Sequence, residues 1–236
     1  MNSQRFAAVA VLVFTFTLFE AREMRSQEAK IKYPQMAPVE EYLMTDRNAE
    51  ITMARSAAPD SISHDATILV LARHGYETAV EGKNGFICVV ERGWMSPADA
   101  PEFWNPKIRG PVCFNPPAAR SVLPTTYKRS EMALAGRTRA EIIDGNKGAF
   151  ERGELPALEP GAMSYMMSKD AYLTDGGSHN LAHLMFYAPP LDGKDWGADL
   201  PKSPVMLIPQ LKDAQPFDVF IVPVGRWSDG SIAPVM

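Results

Sequence analysis

Apolar residues recur along the chain in short runs of four to eight positions, many of them β-branched, with turn-forming residues between them. Runs of this length predict strands, because a helix needs ten or more residues to build an apolar face. Three of the runs fall before residue 92, and four lie beyond residue 162. They cover residues 66–71, 76–80, 86–91, 163–168, 183–187, 205–208 and 217–224.

Helical spacing and capping residues interrupt this strand pattern near the start of the chain and again in its middle. Residues 45–57 have a narrow apolar face, and Thr45 or Asp46 can cap that helix. In the middle of the chain, one helix is predicted over residues 118–134. A second is predicted over residues 138–152, because it begins with a Thr-Arg-Ala-Glu capping box.

The order of these elements predicts one α+β domain over residues 45–236. We expect a mostly antiparallel sheet of about six strands, a central helical pair and long Pro-rich loops. An Asn84-Gly85 pair separates the second and third runs and predicts a tight hairpin, so residues 66–92 are expected to form a β-meander. The Trp- and Pro-rich segment 93–117 is expected to be an irregular loop that either covers a sheet edge or carries function.

The N-terminus has the features of an export signal. Arg5 precedes thirteen uncharged, mostly apolar residues (7–19), and charged residues follow from Glu20. This run is too short for a membrane span, which needs about 20 residues, so residues 1–26 are predicted to be a cleaved signal peptide. An uncleaved anchor is the alternative. Residues 27–44 are polar and interrupted by Pro34 and Pro38, so they are predicted to be a linker. With cleavage, the protein is expected to be secreted or periplasmic and not stably inserted in a membrane.

Cysteine usage and charge add two constraints. Cys88 and Cys113 are predicted to form a disulfide, because an exported protein with an even number of cysteines folds in an oxidising compartment. Two buried free thiols are the alternative. The chain has a net charge of −4, and its basic residues form no cluster. This balance argues against nucleic acid or an anionic membrane surface as a partner.

Candidate chemistry depends on the histidines, because motifs such as His-Glu-x-x-His, Cys-x-x-Cys and Gly-x-Ser-x-Gly do not occur in the sequence. Two of the four histidines, His179 and His183, lie four residues apart. On a helix they would share a face and could bind one metal ion. Gly-Gly before them and Pro-Pro after them favour a strand from His183 onward, which would separate the pair by about 13 Å.

On such a strand, His183, Met185 and Tyr187 point to one face. Glu91 ends an earlier predicted strand. Acid–base chemistry near neutral pH would use such residues. The candidate catalytic residues are therefore His183, His179, Tyr187 and Glu91. The candidate ligands of a divalent metal ion are His179, His183 and His74. The alternative is that the histidines only make local hydrogen bonds.

Three functions are compatible with these features. The first is binding of a small molecule or a protein partner outside the cytoplasm. The methionines of the later strands predict an adaptable core or, as the alternative, a soft apolar ligand pocket. The second is a metal-dependent or His-based hydrolase that uses His183 and His179 with Glu91 or His74. The third is a structural protein of the cell envelope. An enzyme predicts that at least three of the candidate residues line one concave pocket, whereas a binding protein predicts a roomy pocket lined by aromatic residues and methionines.

Overall fold

Eight strands form one sheet in the computed structural model, which describes residues 32–176, 181–208 and 214–234. The strands are β1 Thr67–Ala72, β2 Gly75–Val80, β3 Ile87–Glu91, β4 Gly110–Phe114, β5 Met163–Met166, β6 His183–Ala188, β7 Met206–Leu207 and β8 Asp218–Pro223. Across the sheet they follow the order β2-β1-β3-β4-β5-β6-β8-β7. Only the β1–β3 pair is parallel within the described part. The predicted α+β fold with a mostly antiparallel sheet is confirmed, with eight strands instead of about six.

The described ranges contain five helices. They are α1 Arg47–Arg55, α2 Asp60–Ser63, α3 Pro116–Ser121, α4 Leu123–Leu134 and α5 Arg139–Glu151, with short 3-10 turns at Val39–Glu41, Gly93–Met95 and Gly193–Trp196. Asp46 caps α1, and Thr138 and Glu141 form the predicted capping box of α5. The predicted helix 118–134 is divided into α3 and α4, because Pro124 lacks the N–H that a continuous helix would need.

The predicted β-meander over residues 66–92 is wrong, because β3 returns beside β1 in the parallel direction and does not pair with β2. The tight turn of this region lies between β1 and β2, at His74. The Asn-Gly pair belongs to the connection from β2 to β3. There the Asn84 amide accepts from the N–H of Phe86 and donates to the carbonyl of Ile62. These bonds tie the connection to the chain that precedes β1.

Strand β4 is the element that the sequence does not predict, because it lies inside the segment expected to be a loop (93–117). Its five residues are all buried, and it pairs with β3 on one side and β5 on the other. Pro111 conceals it, because proline is rare in central strands. Before β4 the segment is largely irregular and buries both Trp94 and Trp104, as expected of a covering loop.

Cys88 on β3 and Cys113 on β4 lie directly opposite each other and form the predicted disulfide. Opposed positions of an antiparallel pair bring two side chains close enough for such a bond. The cysteines are 25 residues apart in sequence, and closing a loop of this size stabilises a fold by about 3 kcal/mol in the chain-entropy account. The bridge therefore joins two central strands of the sheet.

Both faces of the sheet are covered, and alternate residues of each strand point to opposite faces. On one face, here called the α1 face, Ile68, Cys88 and Val90 pack against small alanines in and after α1. The opposite face, here called the α4 face, packs against α3 and α4 through larger side chains. These include Val89, Val112, Phe114, Val122, Leu123 and Val219. The fully buried residues beside α1 are therefore smaller than those on the α4 face.

The predicted signal peptide (1–26) lies outside the described residues, as does the start of the predicted linker (27–44). Near the end of that segment Tyr42 is buried, and its hydroxyl donates to the carbonyl of Trp104 at 2.8 Å. Within the described ranges, no helix is long and apolar enough to cross a membrane.

A buried ion pair fixes the end of β3. The Arg92 guanidinium, with a fully buried side chain, donates through Nη2 to Glu50 Oε1 of α1 at 2.8 Å. Its Nε donates to the carbonyl of Tyr42 at 2.8 Å, and its Nη1 donates to the carbonyl of Val90. The same Glu50 oxygen accepts the N–H of Leu71 on β1 at 3.1 Å. One ion pair thus joins α1, two strands and the chain that precedes α1.

Replacing Glu50 by glutamine leaves the buried Arg92 charge without a counter-ion, so we expect the free energy of unfolding to fall by roughly 3–5 kcal/mol. Urea denaturation measures this loss. The control is Glu77→Gln, which breaks the exposed pair of Glu77 with Arg47 and is expected to cost about 1 kcal/mol or less. Equal losses in the two variants would contradict a special role for the buried pair.

Candidate functional site

A cavity of about 260 Å³ lies between the α4 face of the sheet and helix α4. Its wall is mainly apolar and includes Met95, Phe114, Met166, Met185, Val219 and Ile221. An apolar cavity of about 150 Å³ accommodates benzene, and sites for drug-sized ligands begin near 300 Å³. The cavity is therefore suited to a molecule of intermediate size.

Glu91 is the last residue of β3 and lines the cavity. Its Oε1 accepts a hydrogen bond from the hydroxyl of Thr126 on α4 at 2.7 Å. Oε2 has no hydrogen-bond partner in the part of the chain that the structure describes. Burial raises the pKa of Glu91 to about 6, against the opposing effects of Thr126 and Arg129. The carboxyl group can therefore gain or lose a proton close to neutral pH.

Arg129, on the same face of α4 as Thr126, also lines the cavity and is only 1% exposed. Its Nη2 donates to the carbonyl of Ser96 at 2.8 Å, and its Nη1 reaches the carbonyl of Met95 at 3.4 Å. Among the described residues, Nε has no acceptor and no carboxylate forms an ion pair with Arg129. Burial lowers the pKa of Arg129 to about 10, so the group stays charged at neutral pH.

His183 begins β6 and is 6% exposed. Its Nδ1 lies 2.7 Å from the carbonyl of Leu181. A carbonyl can only accept, so Nδ1 carries the hydrogen and Nε2 presents a lone pair. Nε2 has no hydrogen-bond partner among the described residues. Burial lowers the pKa of His183, which favours the neutral ring at neutral pH.

Tyr187 lies on the cavity side of β6, four residues after His183. Its hydroxyl is 2.8 Å from the Ser164 hydroxyl on β5, and its ring meets Phe217 edge to face at 5.9 Å. Burial raises the pKa of Tyr187, so the phenol is neutral at physiological pH. It can therefore donate or accept a hydrogen bond but does not supply charge.

Glu91 and His183 cannot act as a directly bonded pair. Their strands are separated by β4 and β5, and three spacings of about 4.8 Å place the two backbones about 14 Å apart. The two side chains therefore lie three strands apart on the sheet side of the cavity. A ligand in the cavity can contact both, whereas a single metal ion cannot be bound by both.

Three of the candidate residues come together in the cavity, namely Glu91, His183 and Tyr187. His74 lies exposed in the turn between β1 and β2 and is not part of the cavity. His179 lies outside the described residues. Among the residues that are described, no group of three His, Cys, Asp or Glu side chains is arranged to hold a metal ion.

Sequence reasoning misses the α4 side of the cavity. Val122, Thr125, Thr126 and Arg129 line it with the spacing i, i+3, i+4 and i+7 of one helix face. The spacing can be seen in the sequence, but two threonines and an arginine at these positions are typical of a helix face that is exposed to solvent. Comparisons with protein-family models, curated proteins and solved structures found no match to the chain. The cavity and its polar groups are therefore the features that indicate a function.

We expect the pH dependence of stability to depend on Glu91. The folded protein retains a proton that the unfolded chain releases between pH 4.5 and about 6, so the free energy of unfolding falls as pH rises through this window. The shift corresponds to roughly 2 kcal/mol. Glu91→Gln cannot release this proton, so the variant should gain about 2 kcal/mol relative to the wild type between those pH values.

Urea denaturation of both proteins at about pH 4.5 and about pH 7 measures this difference. The control is Glu131→Gln on α4, where the side chain is exposed. That variant should follow the wild type at both pH values. An unchanged difference between Glu91→Gln and the wild type across the window would contradict the raised pKa of Glu91.

Proposed function

We propose that the protein binds a small, mostly apolar molecule in the cavity between the sheet and α4. The observation that supports this most strongly is the combination of a 260 Å³ apolar space with polar atoms that have no partner in the described structure. Native cores contain few voids larger than a water molecule, because empty space forfeits packing contacts. A space of this size is therefore best explained as a binding site.

The composition of the wall supports an adaptable apolar ligand site. Met95, Met166 and Met185 contribute to it. Methionine side chains are unbranched and polarisable, so they can follow the outline of a ligand at low cost. On the polar side, Glu91 Oε2 and His183 Nε2 are open to a hydrogen bond from a ligand. A few such groups in a mainly apolar wall orient a small molecule.

We also infer that binding takes place outside the cytoplasm. The Cys88–Cys113 disulfide supports this location, because such bonds persist in oxidising compartments. The predicted signal peptide (1–26) agrees with it. The lack of a basic cluster in the sequence argues against nucleic acid as the ligand.

A hydrolase that uses Glu91 as a general base is the second candidate function. The pKa of about 6 favours it, because efficient general bases titrate near the working pH. Tyr187 and His183, three strands away on the same face of the sheet, would then position the substrate. The separation of Glu91 from His183 makes a His-Glu catalytic pair a poorer explanation than binding, so binding is the function we favour.

Filling the cavity should abolish binding. In Met185→Trp the indole occupies the space, so the affinity for the uncharged probe 1-octanol should fall by more than about tenfold. Binding is measured by NMR of ¹³C-methyl methionine. In the wild type, the Met166 and Met185 signals should shift in a saturable way, whereas Met53, which packs on the α1 face, should not respond.

The matched control is Phe186→Trp, which places the same indole on the same strand but on the opposite face of the sheet. This variant should bind 1-octanol like the wild type. The proposal fails if the wild-type Met166 and Met185 signals respond neither to 1-octanol nor to its carboxylate analogue octanoate. It also fails if the two tryptophan variants bind the probe equally well.

A further inference from the structure

We infer that the ligand is a small monocarboxylic acid whose carboxylate group is bound by Arg129 and whose hydrocarbon part occupies the apolar end of the cavity. This inference rests on the proposed function, because it assigns the chemistry of the same site. It depends on three features: a buried cation without an ion-pair partner, an unused hydroxyl on the same helix face, and an acid on the wall that can hold a proton.

The first feature is the charge of Arg129. A buried charge is costly unless it is paired, and the two backbone carbonyls that Arg129 contacts carry only partial charges. A guanidinium has five N–H donors, and those two contacts leave donors free, Nε among them. A carboxylate accepts from a guanidinium through two parallel hydrogen bonds, which makes it the natural complement.

The second feature is the hydroxyl of Thr125, one helical turn before Arg129. The two residues lie on one face of α4, and both line the cavity. Thr125 is 2% exposed, and its Oγ1 has no hydrogen-bond partner within the described structure. A buried hydroxyl without a partner costs about 1–3 kcal/mol. A carboxylate at Arg129 would supply an acceptor for it.

The charges around the cavity favour an anion over an ammonium group. Arg92 and Arg129 are the cationic residues of the wall, and Glu91 is its acidic residue in the described structure. Glu50 neutralises Arg92 through the buried ion pair. An ammonium ion at Glu91 would be repelled by Arg129, which has no ion-pair partner within the described residues and interacts with Glu91 only at longer range, whereas a carboxylate would supply a direct partner.

The third feature is the proton that Glu91 can hold. Arg129 on α4 and the Thr126 hydrogen bond lower the pKa of Glu91 against the effect of burial, and Arg92 is its neighbour in the chain. The charge of Glu91 in turn raises the pKa of Tyr76 on β2 and of Tyr187 on β6. Burial raises the pKa of both tyrosines, so neither supplies a negative charge. Two carboxyl groups in one apolar site retain a proton between them. Binding of a carboxylate above about pH 6 should therefore take up one proton.

Isothermal titration of the purified protein with octanoate, 1-octanol and octylamine tests the inference. At about pH 5.5, octanoate should bind at least about tenfold more tightly than 1-octanol, and octylamine should bind more weakly than both. Above about pH 6 the affinity for octanoate should fall about tenfold for each pH unit. In buffers of different ionisation enthalpy, about one proton should be taken up per octanoate bound at pH 7.5.

Two variants separate the roles of the charged residues. Arg129→Lys keeps the charge but loses the planar fork, so octanoate should bind about tenfold more weakly while 1-octanol is unaffected. The control is Arg137→Lys, which changes an exposed arginine. In Glu91→Gln the proton uptake should disappear, and the affinity for octanoate should be the same at both pH values. Glu91→Gln and the three ligands decide the question even if Arg129→Lys does not fold.

The outcomes distinguish this inference from the proposed function. If 1-octanol binds as tightly as octanoate, or octylamine binds best, the carboxylate is wrong and the binding function stands. If Glu91→Gln still takes up a proton with octanoate, the part assigned to Glu91 is wrong. If neither 1-octanol nor octanoate binds the wild type, the proposed function itself fails.

Discussion

The buried ion pair of Arg92 with Glu50 is the interaction on which the arrangement of the cavity depends. It joins α1 on one face of the sheet to the end of β3 and also bonds to the chain around Tyr42 and Leu71. Separating the two partners would leave an unpaired buried charge, which costs several kcal/mol. The pair therefore holds the end of β3 in one position. The residue before Arg92 is Glu91, and its carboxyl is thereby held at the cavity wall.

The two faces of the sheet are packed differently. The fully buried residues next to α1 are alanines, short aliphatic side chains and the disulfide, with Phe86 and Tyr165 packed at their edge. The α4 face carries larger side chains but leaves a cavity, and the polar groups around it are incompletely bonded. The raised pKa of Glu91 and the lowered pKa of Arg129 both report charges that burial disfavours. Such unfavourable features are concentrated at sites of binding and chemistry, whereas a core selected only for stability would remove them.

Much of the fold follows from local patterns in the sequence. Apolar runs identify seven of the eight strands, and capping residues locate α1 and α5, because these signals depend on neighbouring residues alone. The pairing of the strands cannot be predicted from these local patterns. The Asn84 side chain forms its hydrogen bonds in the crossover from β2 to β3 and not in a hairpin between them. Strand β4 is not predicted because it contains Pro111, and proline usually argues against a central strand.

The candidate site is predictable to a similar extent. Glu91, His183 and Tyr187 are recognised as reactive residue types at strand ends or on a strand face, and they line one cavity. Arg129 is not recognised, because an arginine on a helix usually faces solvent, and only the packing of α4 on the sheet buries it. Arg129 determines the proposed ligand chemistry, and its burial at the cavity depends on tertiary structure.

The most direct measurement is the ¹H–¹⁵N NMR signal of the Arg129 Nε–H group during titration with octanoate. This group is buried and has no acceptor in the described structure, whereas the Nε–H of Arg92 already donates to the Tyr42 carbonyl. Binding as inferred predicts a saturable shift of the Arg129 signal with the Arg92 signal unchanged. Saturable binding of octanoate that leaves the Arg129 signal in place would contradict it.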